Sequence, residues 1–340
     1  MAKAVKLADI AEMVGVSTVT VSKALSGQKG VSDEVREKIK QLAEELGYQP
    51  PSAQKKEVHK SYNIGVIIAD RYLDKYDSFY WQMYQQLATK AVMKECFTMM
   101  EAITPKMEQE QELPKLIQEQ KVDGLVVIGK VKDAYLNYLE SHISIPMICL
   151  DFCNERKDMD AVISDSYYGA YQLTNYLFDM GHRKIAYVGT LLSTGSITDR
   201  YLGYVKSLLE HGVTPESKWL IKDRREEDYI IDDELFLQIP FEDMPTAFFC
   251  NCDLTASILI KKLATNGYRV PEDVSVVGYD NYLFPGLCDV EITTYEVDVK
   301  EMVRRTINTL IKKMNKEKYR HGIYIVEGNL VEKESVRRLK

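Results

Sequence analysis

Six short, mostly apolar runs constrain this chain more than any other feature: Ile64–Ala69, Gly124–Ile128, Met147–Leu150, Lys184–Gly189, Ala247–Asn251 and Val274–Tyr279. A strand buried on both faces reads in this way, because neither face has to meet water. Segments with helical spacing fall between the runs, and strand–helix alternation folds as a parallel α/β architecture, here in two lobes. Open sheets of that kind bind ligands just beyond the carboxyl ends of their strands. The residues that follow the runs are therefore candidate contacts: Asp70, Asp151, Asn251-Cys252-Asp253 and Asp280-Asn281.

Residues 1–48 follow a different rule. Leu7, Ile10, Ala11 and Val14 recur at helical spacing over Leu7–Val14, with Asp9 and Glu12 on the outside, and Gly15 breaks the helix. Ser17 is suited to cap a second helix over Thr18–Leu25, and Ser26-Gly27-Gln28-Lys29-Gly30 is a turn by composition. Ser32 can cap a third helix from Asp33 to Leu46, buried along Val35, Ile39, Leu42, Ala43 and Leu46 and ended by Gly47. Two helices joined by a tight turn make a helix-turn-helix, whose second helix can enter a major groove. Lys23 could then donate to guanine or phosphate, Thr18 could reach base or backbone, and Val19 could pack on a thymine methyl. Ser17, Thr20 and Ser22 suit phosphate contacts, which position a protein without reading sequence. A generic three-helix bundle with a solvated Ser/Thr face has the same pattern, and spacing alone does not separate the two.

Charge sharpens the contrast. Residues 1–60 hold ten Lys/Arg against eight Asp/Glu, a net of +2 in a chain of net −7, which leaves −9 for residues 61–340. A mildly basic head sits on an acidic body, so the overall sign does not exclude a nucleic-acid partner.

The run Val5-Lys6-Leu7-Ala8-Asp9-Ile10-Ala11, then Gly15-Val16-Ser17-Thr18-Val19-Thr20-Val21-Ser22-Lys23-Ala24-Leu25-Ser26, closely resembles the head of the LacI/GalR family of transcriptional regulators. So do Val35-Arg36-Glu37-Lys38-Ile39 and Ala43-Glu44-Glu45-Leu46-Gly47-Tyr48-Gln49-Pro50. By that resemblance Thr18, Val19 and Lys23 fall at base-reading positions. The expected DNA-contacting set is Leu7, Ser17, Thr18, Val19, Thr20, Ser22, Lys23, Ser26 and Ser32. The resemblance divides the chain into a head (1–48), a linker (49–61) and an effector-binding and dimerisation region (62–340).

In the linker the sequence departs from the family. Relatives usually continue with Asn-x-x-Ala-Arg-x-Leu, a hinge helix whose leucine wedges open a base step in the minor groove. Here Pro51, Gln54 and Lys55 replace the Asn, Ala and Arg, and Glu57 stands at the leucine position. A carboxylate cannot serve as an apolar wedge beside phosphates. Two readings remain open: a flexible basic linker touching backbone through Lys55, Lys56 and Lys60, or a hinge shifted by one residue onto Val58.

Val122-Asp123-Gly124-Leu125-Val126, Gly181-His182-Arg183-Lys184-Ile185-Ala186, Asp199-Arg200-Tyr201-Leu202-Gly203-Tyr204 and Val270–Asp280 match the family's effector-binding core in order. That core is related to periplasmic sugar-binding proteins. The resemblance implies a first lobe of about 62–162 plus 294–323, a second of about 163–293 plus 324–340, and a cleft between them. It places Arg200, Asp280 and Asp151 in the cleft, with Phe79, Tyr80 and Trp81 on the first cleft-facing helix. Charged forks suit polyhydroxy ligands, and aromatic rings suit sugar faces. The family's Asn-Asp pair is Cys252-Asp253 here, so its usual amide contact is missing. The expected effector-binding set is Asp70, Phe79, Tyr80, Asp151, Arg200, Cys252, Asp253 and Asp280.

Catalytic readings find no support. Gly124–Val131 spells the start of a P-loop, but Val131 stands where a Ser/Thr must hold magnesium. The five histidines show no paired metal spacing, and the six cysteines read as free thiols rather than a disulfide or zinc framework. No cofactor, no metal and no enzymatic activity are expected. There is no apolar stretch long enough to span a membrane, and Asp9 and Glu12 interrupt any export signal, so a cytoplasmic protein is expected. Paired heads on a DNA operator imply a homodimer, and with no heptad helix after Ser335 a tetramer is not expected. The expected function is that of a sequence-specific regulator, in the first instance a repressor, whose operator affinity responds to a sugar or glycoside. Alternatives are a response to a nucleobase or a phosphorylated metabolite, or a transport-type sugar-binding protein.

Overall fold

The computed structural model describes residues 5–46, 48, 61–73, 79–154, 159–225, 229–232 and 238–340. The chain divides into two units, Met1–Lys60 and Ser61–Lys340.

The first unit holds α1 (Leu7–Val14), α2 (Thr18–Leu25) and α3 (Asp33–Glu45). Gly15 ends α1 at φ 75°, a left-handed conformation that glycine adopts without a Cβ penalty. Ser17 caps α2 by accepting from the Thr20 amide at 3.1 Å. Ile10, Ala11, Val21, Ala24, Ile39 and Ala43 form the core, with Val35, Leu42 and Leu46 half-buried around it. Arg36 ties the end of α2 to α3: its guanidinium donates to the carbonyls of Lys23 (3.4 Å), Ala24 (3.1 Å) and Gln28 (2.7 Å). One expectation fails here. Ser32 occupies the N-cap position of α3 but makes no side-chain capping bond, and the helix dipole meets Asp33 and Glu34 in the first turn instead. Gly47 and residues 49–60, with the linker departures at Pro51, Gln54, Lys55 and Glu57, lie outside the described residues.

The second unit opens with β1 (Asn63–Ala69), α4 (Phe79–Val92) and β2 (Phe97–Ile103). Two short helices follow, α5 (Pro105–Glu110) and α6 (Lys115–Gln118), then β3 (Gly124–Ile128), α7 (Asp133–His142), β4 (Met147–Leu150) and β5 (Ala161–Ser164). The chain continues through α8 (Ser166–Asp179), β6 (Ile185–Val188), α9 (Gly195–Glu210), β7 (Leu220–Ile221), β8 (Ala247–Cys250), α10 (Asp253–Thr265) and β9 (Ser275–Val277). It closes with β10 (Thr294–Glu296), α11 (Val299–Met314), β11 (Ile323–Val326) and β12 (Asn329–Val331).

Two parallel sheets result. The first has the order β11-β5-β4-β3-β1-β2 and the second β7-β6-β8-β9, while β10 and β12 form a separate antiparallel pair. All six expected runs form strands. Ile64–Ala69, Leu125–Ile128 and Ile148–Leu150 are completely buried, as strands covered on both faces must be. The strands without an expectation are short, or lie at an edge as β2 does, with Phe97 exposed and Ile103 buried. Strands run through the expected lobe boundaries near 162 and 323, since the chain leaves the first sheet only after Ser164 and Val326. Helices α8 and α9 pack so closely that a Cβ on Gly203 would overlap the Tyr167 carbonyl. Among the described residues, no helix is long and apolar enough to cross a membrane, and no cluster could hold a metal ion.

Candidate ligand cleft and DNA-facing helix

On the head, Thr18, Val19, Ser22 and Lys23 are exposed along one face of α2, with Val19 at 62%. An exposed valine on a stable helix surface is available to an apolar partner such as a thymine methyl. The other expected contacts differ among themselves. The Ser17 and Thr20 hydroxyls hydrogen-bond each other at 2.9 Å, and the Ser26 hydroxyl donates to the Ser22 carbonyl at 2.7 Å. Leu7 is half-buried against the head core, and Ser32 is exposed.

In the second unit, strand ends from both lobes bring charged side chains together. Asp151 follows β4 in a left-handed conformation, φ 65°, and is buried. Its neighbours are the Tyr80 hydroxyl from the start of α4, and Arg200 and Asp280 from the other lobe. Burial raises the Asp151 carboxyl from 3.8 to about 7; Arg200 opposes that rise, Asp280 adds to it, and the Tyr80 hydrogen bond opposes it. Arg200, on α9, donates through Nη2 to Asp280 Oδ1 at 3.1 Å and through Nη1 to the Asn251 carbonyl. Its guanidinium carbon lies 3.7 Å from the Tyr279 ring centre, a stacked cation–π contact. Among the described residues, the Arg200 Nε is buried without a hydrogen-bond partner. Asp280 itself sits at φ 100°, and burial pushes its carboxyl up while Arg200 holds it down. Backbone strain at such positions concentrates where a side chain has to be aimed.

Four of the expected effector residues therefore meet: Tyr80, Asp151, Arg200 and Asp280. Phe79 lies beside them, 5.7 Å from the Tyr80 ring and 6.3 Å from the ring of Tyr282 on the opposite lobe. Asp253 does something else. Its Oδ2 accepts from the Tyr282 amide at 2.9 Å, and its Oδ1 is buried against Gly278. It braces the segment that carries Asp280. Cys252 caps α10 through its sulfur. Asp70 begins a short turn, and the next two residues are the ones that reach inward: Arg71 donates to Glu108 (2.7 Å) and to the Lys130 carbonyl (2.7 Å), while Tyr72 packs on Tyr80 at 4.8 Å.

Arg224 is in neither set of candidates, and Asn251 is a candidate by its place after β8 without being in the expected effector-binding set. Arg224 donates through Nε to Asp223 (3.1 Å) and through Nη2 to the Asn251 side-chain oxygen (3.1 Å), with the Cys252 sulfur at 3.8 Å. The Asn251 amide beside it is buried and bound to the Val188 carbonyl, Asp223 and Arg224, so it does not replace the amide that position 252 lacks. A separate cavity of about 520 Å³, lined in part by Ile145, Met147, Met159 and Lys313, opens at the amino end of β4 and has none of these groups.

Together these features define a class: a helix-turn-helix DNA-binding head joined to a two-lobed, periplasmic-binding-protein-like α/β body. Residues 6–51 match the family described as bacterial regulatory proteins, lacI family, and residues 174–336 match the periplasmic binding protein-like domain. The chain thus pairs a lacI-family head with a periplasmic binding protein-like body, the make-up of LacI/GalR-type transcriptional regulators, and the curated relatives it resembles are DNA-binding repressors rather than enzymes. It is 26% identical over 336 residues to the HTH-type transcriptional repressor PurR of Vibrio atlanticus, covering 97% of this chain and 98% of that one. Among solved structures, the transcriptional regulator CelR–cellobiose complex superposes with a TM-score of 0.70 at 23% identity, covering 97% of this chain and 99% of CelR. The lac repressor dimer bound to operator and the anti-inducer ONPF gives 0.68 at 22%, covering 98% and 100%.

Proposed function

We propose that the protein is a cytoplasmic, homodimeric repressor whose operator affinity is set by a small polyhydroxy molecule, a sugar or glycoside, bound between its lobes. The observation that carries this reading is the convergence of Arg200 from α9 with Asp280 and Asp151 at strand ends of the two lobes. Hydroxyls both donate and accept, so a fork of fixed donors beside two carboxylates matches a polyol, and Phe79 and Tyr80 offer ring faces to its C–H surface. Contacts from both lobes give the ligand different affinities for open and closed arrangements, which is what a coupling free energy to DNA binding requires. The α2 residues Thr18, Val19 and Lys23 read base edges, and two heads on one site give the specificity that a single helix lacks. The cellobiose held by CelR and the operator held by the lac repressor are in keeping with this reading.

A planar heterocycle is the second reading, favoured by the ring cluster of Tyr72, Phe79, Tyr80 and Tyr282. One experiment separates them: binding of the full chain to fragments of its own upstream region, across a salt series, with sugars and with nucleobases. Saturable binding to a near-palindromic site, shifted by a sugar, supports the proposal. A shift by nucleobases alone moves the effector to the second reading. Weak, steeply salt-dependent binding untouched by either panel refutes both.

A further inference from the structure

Arg224 is half-buried, its side chain 13% exposed, and its hydrogen bonds occupy only part of the guanidinium. Asp223 and Asn251 hold Nε and Nη2 from one side, and Asp223 is itself fixed by the Thr190 amide (2.8 Å), the Asn251 amide (2.6 Å) and the Thr255 hydroxyl (3.0 Å). The plane of the fork is therefore set before any ligand arrives. Nη1 takes no hydrogen bond among the described residues, and the groups facing Arg224 from the other lobe are Tyr72 and Tyr80.

A second cation flanks the same place. Lys130 lies just beyond β3, at the carboxyl edge of the first sheet, and its carbonyl accepts from Arg71 (2.7 Å) and from the Tyr72 hydroxyl (3.1 Å). Its ammonium stands 6.0 Å from the ring centre of Tyr229. Tyr229 is tied to the segment of Arg224: its amide donates to the Arg225 carbonyl, the Arg225 amide donates to the Ile230 carbonyl, and Arg224 pairs with Ile231. Among the described residues Lys130 has no ion pair. Arg200, by contrast, is already matched by Asp280.

We propose that Arg224 and Lys130 form an anion-binding end of the cleft, so that the effector is a polyhydroxy compound bearing a carboxylate or a phosphate. The inference rests on the reading of the cleft as the effector site and narrows its ligand. Hydroxyls go to Arg200, Asp280 and Asp151, and the anionic group goes to the fork of one lobe and the ammonium of the other. Each lobe supplies a cation, so the anion also holds the lobes together.

The test is isothermal titration of the full-length protein with a matched series: glucose, gluconate, glucose 6-phosphate, and inorganic phosphate alone. One anionic sugar is expected to bind at least about 10-fold more tightly than glucose, and loss of its bond to Arg224 to cost about 10- to 100-fold. Gluconate as the tighter ligand assigns a carboxylate; glucose 6-phosphate assigns a phosphate. Arg224→Gln and Lys130→Gln should each lower that advantage while Arg224→Lys retains part of it, with a thermal melt showing each variant folded. Equal binding of glucose and both anions overturns the inference and leaves the cleft as an effector site. So does an equal loss for neutral and anionic sugars in Arg224→Gln and Lys130→Gln. Binding of anionic sugars that Arg200→Gln leaves untouched overturns the cleft reading itself, and this inference with it.

Discussion

Replacing Asp151 with asparagine should remove a pH dependence that the unaltered chain shows across neutrality. The Asp151 carboxyl stands at about 7 rather than 3.8, because burial disfavours its charge and Asp280 adds repulsion that Arg200 only partly offsets. The groups facing it are Tyr80 on α4, and Arg200 and Asp280 from the second lobe. The folded chain therefore keeps this proton up to neutrality, while the unfolded chain releases it near pH 4. Folding is then penalised increasingly as pH rises from about 4 to 7, and the penalty levels off above that at about 4 kcal/mol. Between pH 5 and 8 the penalty grows by roughly 2.5 kcal/mol. Asparagine keeps the side-chain shape and tolerates the left-handed φ of 65°, so the substitution tests charge rather than backbone. Urea unfolding of both proteins from pH 5 to 8 measures the effect. His182, whose burial lowers its pKa, loses stability below its usual range in either protein and cancels in the difference. The variant should gain on the parent by roughly 2–3 kcal/mol over this interval. A difference that stays flat with pH refutes the assignment of a neutral-range proton to Asp151.

Arg36→Ala removes three hydrogen bonds to the carbonyls that end α2 and should cost the head about 1–2 kcal/mol, seen as faster amide exchange in Thr18–Leu25; unchanged exchange would show that the bonds contribute nothing. Lys23→Ala should weaken operator binding by about 1–3 kcal/mol and relax base preference at one position, read by gel shift on a set of operator variants. A loss that is uniform over sequences and lowers the salt slope would make Lys23 a phosphate contact instead. Gly203→Ala should destabilise the second unit by at least about 2 kcal/mol in thermal unfolding, because a Cβ there overlaps the Tyr167 backbone; a melt equal to the parent's would mean that α8 and α9 can part without cost.

What the sequence reveals about such a chain depends on which forces leave a local trace. Ile64–Ala69 and Gly124–Ile128 are legible because burial on both faces writes an unbroken apolar run. Strand β2 is not, since one face of an edge strand meets water, and β10 and β12 are three residues each, too short for any period to show. Arg200 and Asp280 could be named from their motifs, but their pairing needed the fold, which brings residues eighty positions apart within 3.1 Å. Arg224 lies in Lys222–Asp228, a run of charges that reads as solvated surface. Only the fold reverses that reading, through Thr190, whose hydroxyl is bound by the Asp223 and Arg224 amides, and through Asn251, which meets the guanidinium. At position 252 a cysteine removes one amide, while Asn251 turns its own toward Asp223 and Arg224.

The placement of the cleft also limits how it can speak to DNA. The proposed ligand groups gather at the carboxyl end of the first sheet, and β1 begins at the other end, where the Tyr62 hydroxyl donates to Asn315 at 2.5 Å just after α11. The two ends of β1 are about 20 Å apart at the usual rise per residue. Ile64–Ala69 between them is completely buried and packed on α4, and such an interior has no continuous deformation to offer. In the proposed switch, a signal from Asp151 to Tyr62 would travel as movement of the first lobe as one body, pivoting on the segments that follow Ser164 and Val326 and precede Thr294. The proposed contacts from both lobes fit such a movement. A ligand that touched only Tyr80 and Asp151 would bind without moving the lobe, whereas one that also engages Arg200, Asp280 or Arg224 ties its binding energy to the angle between lobes.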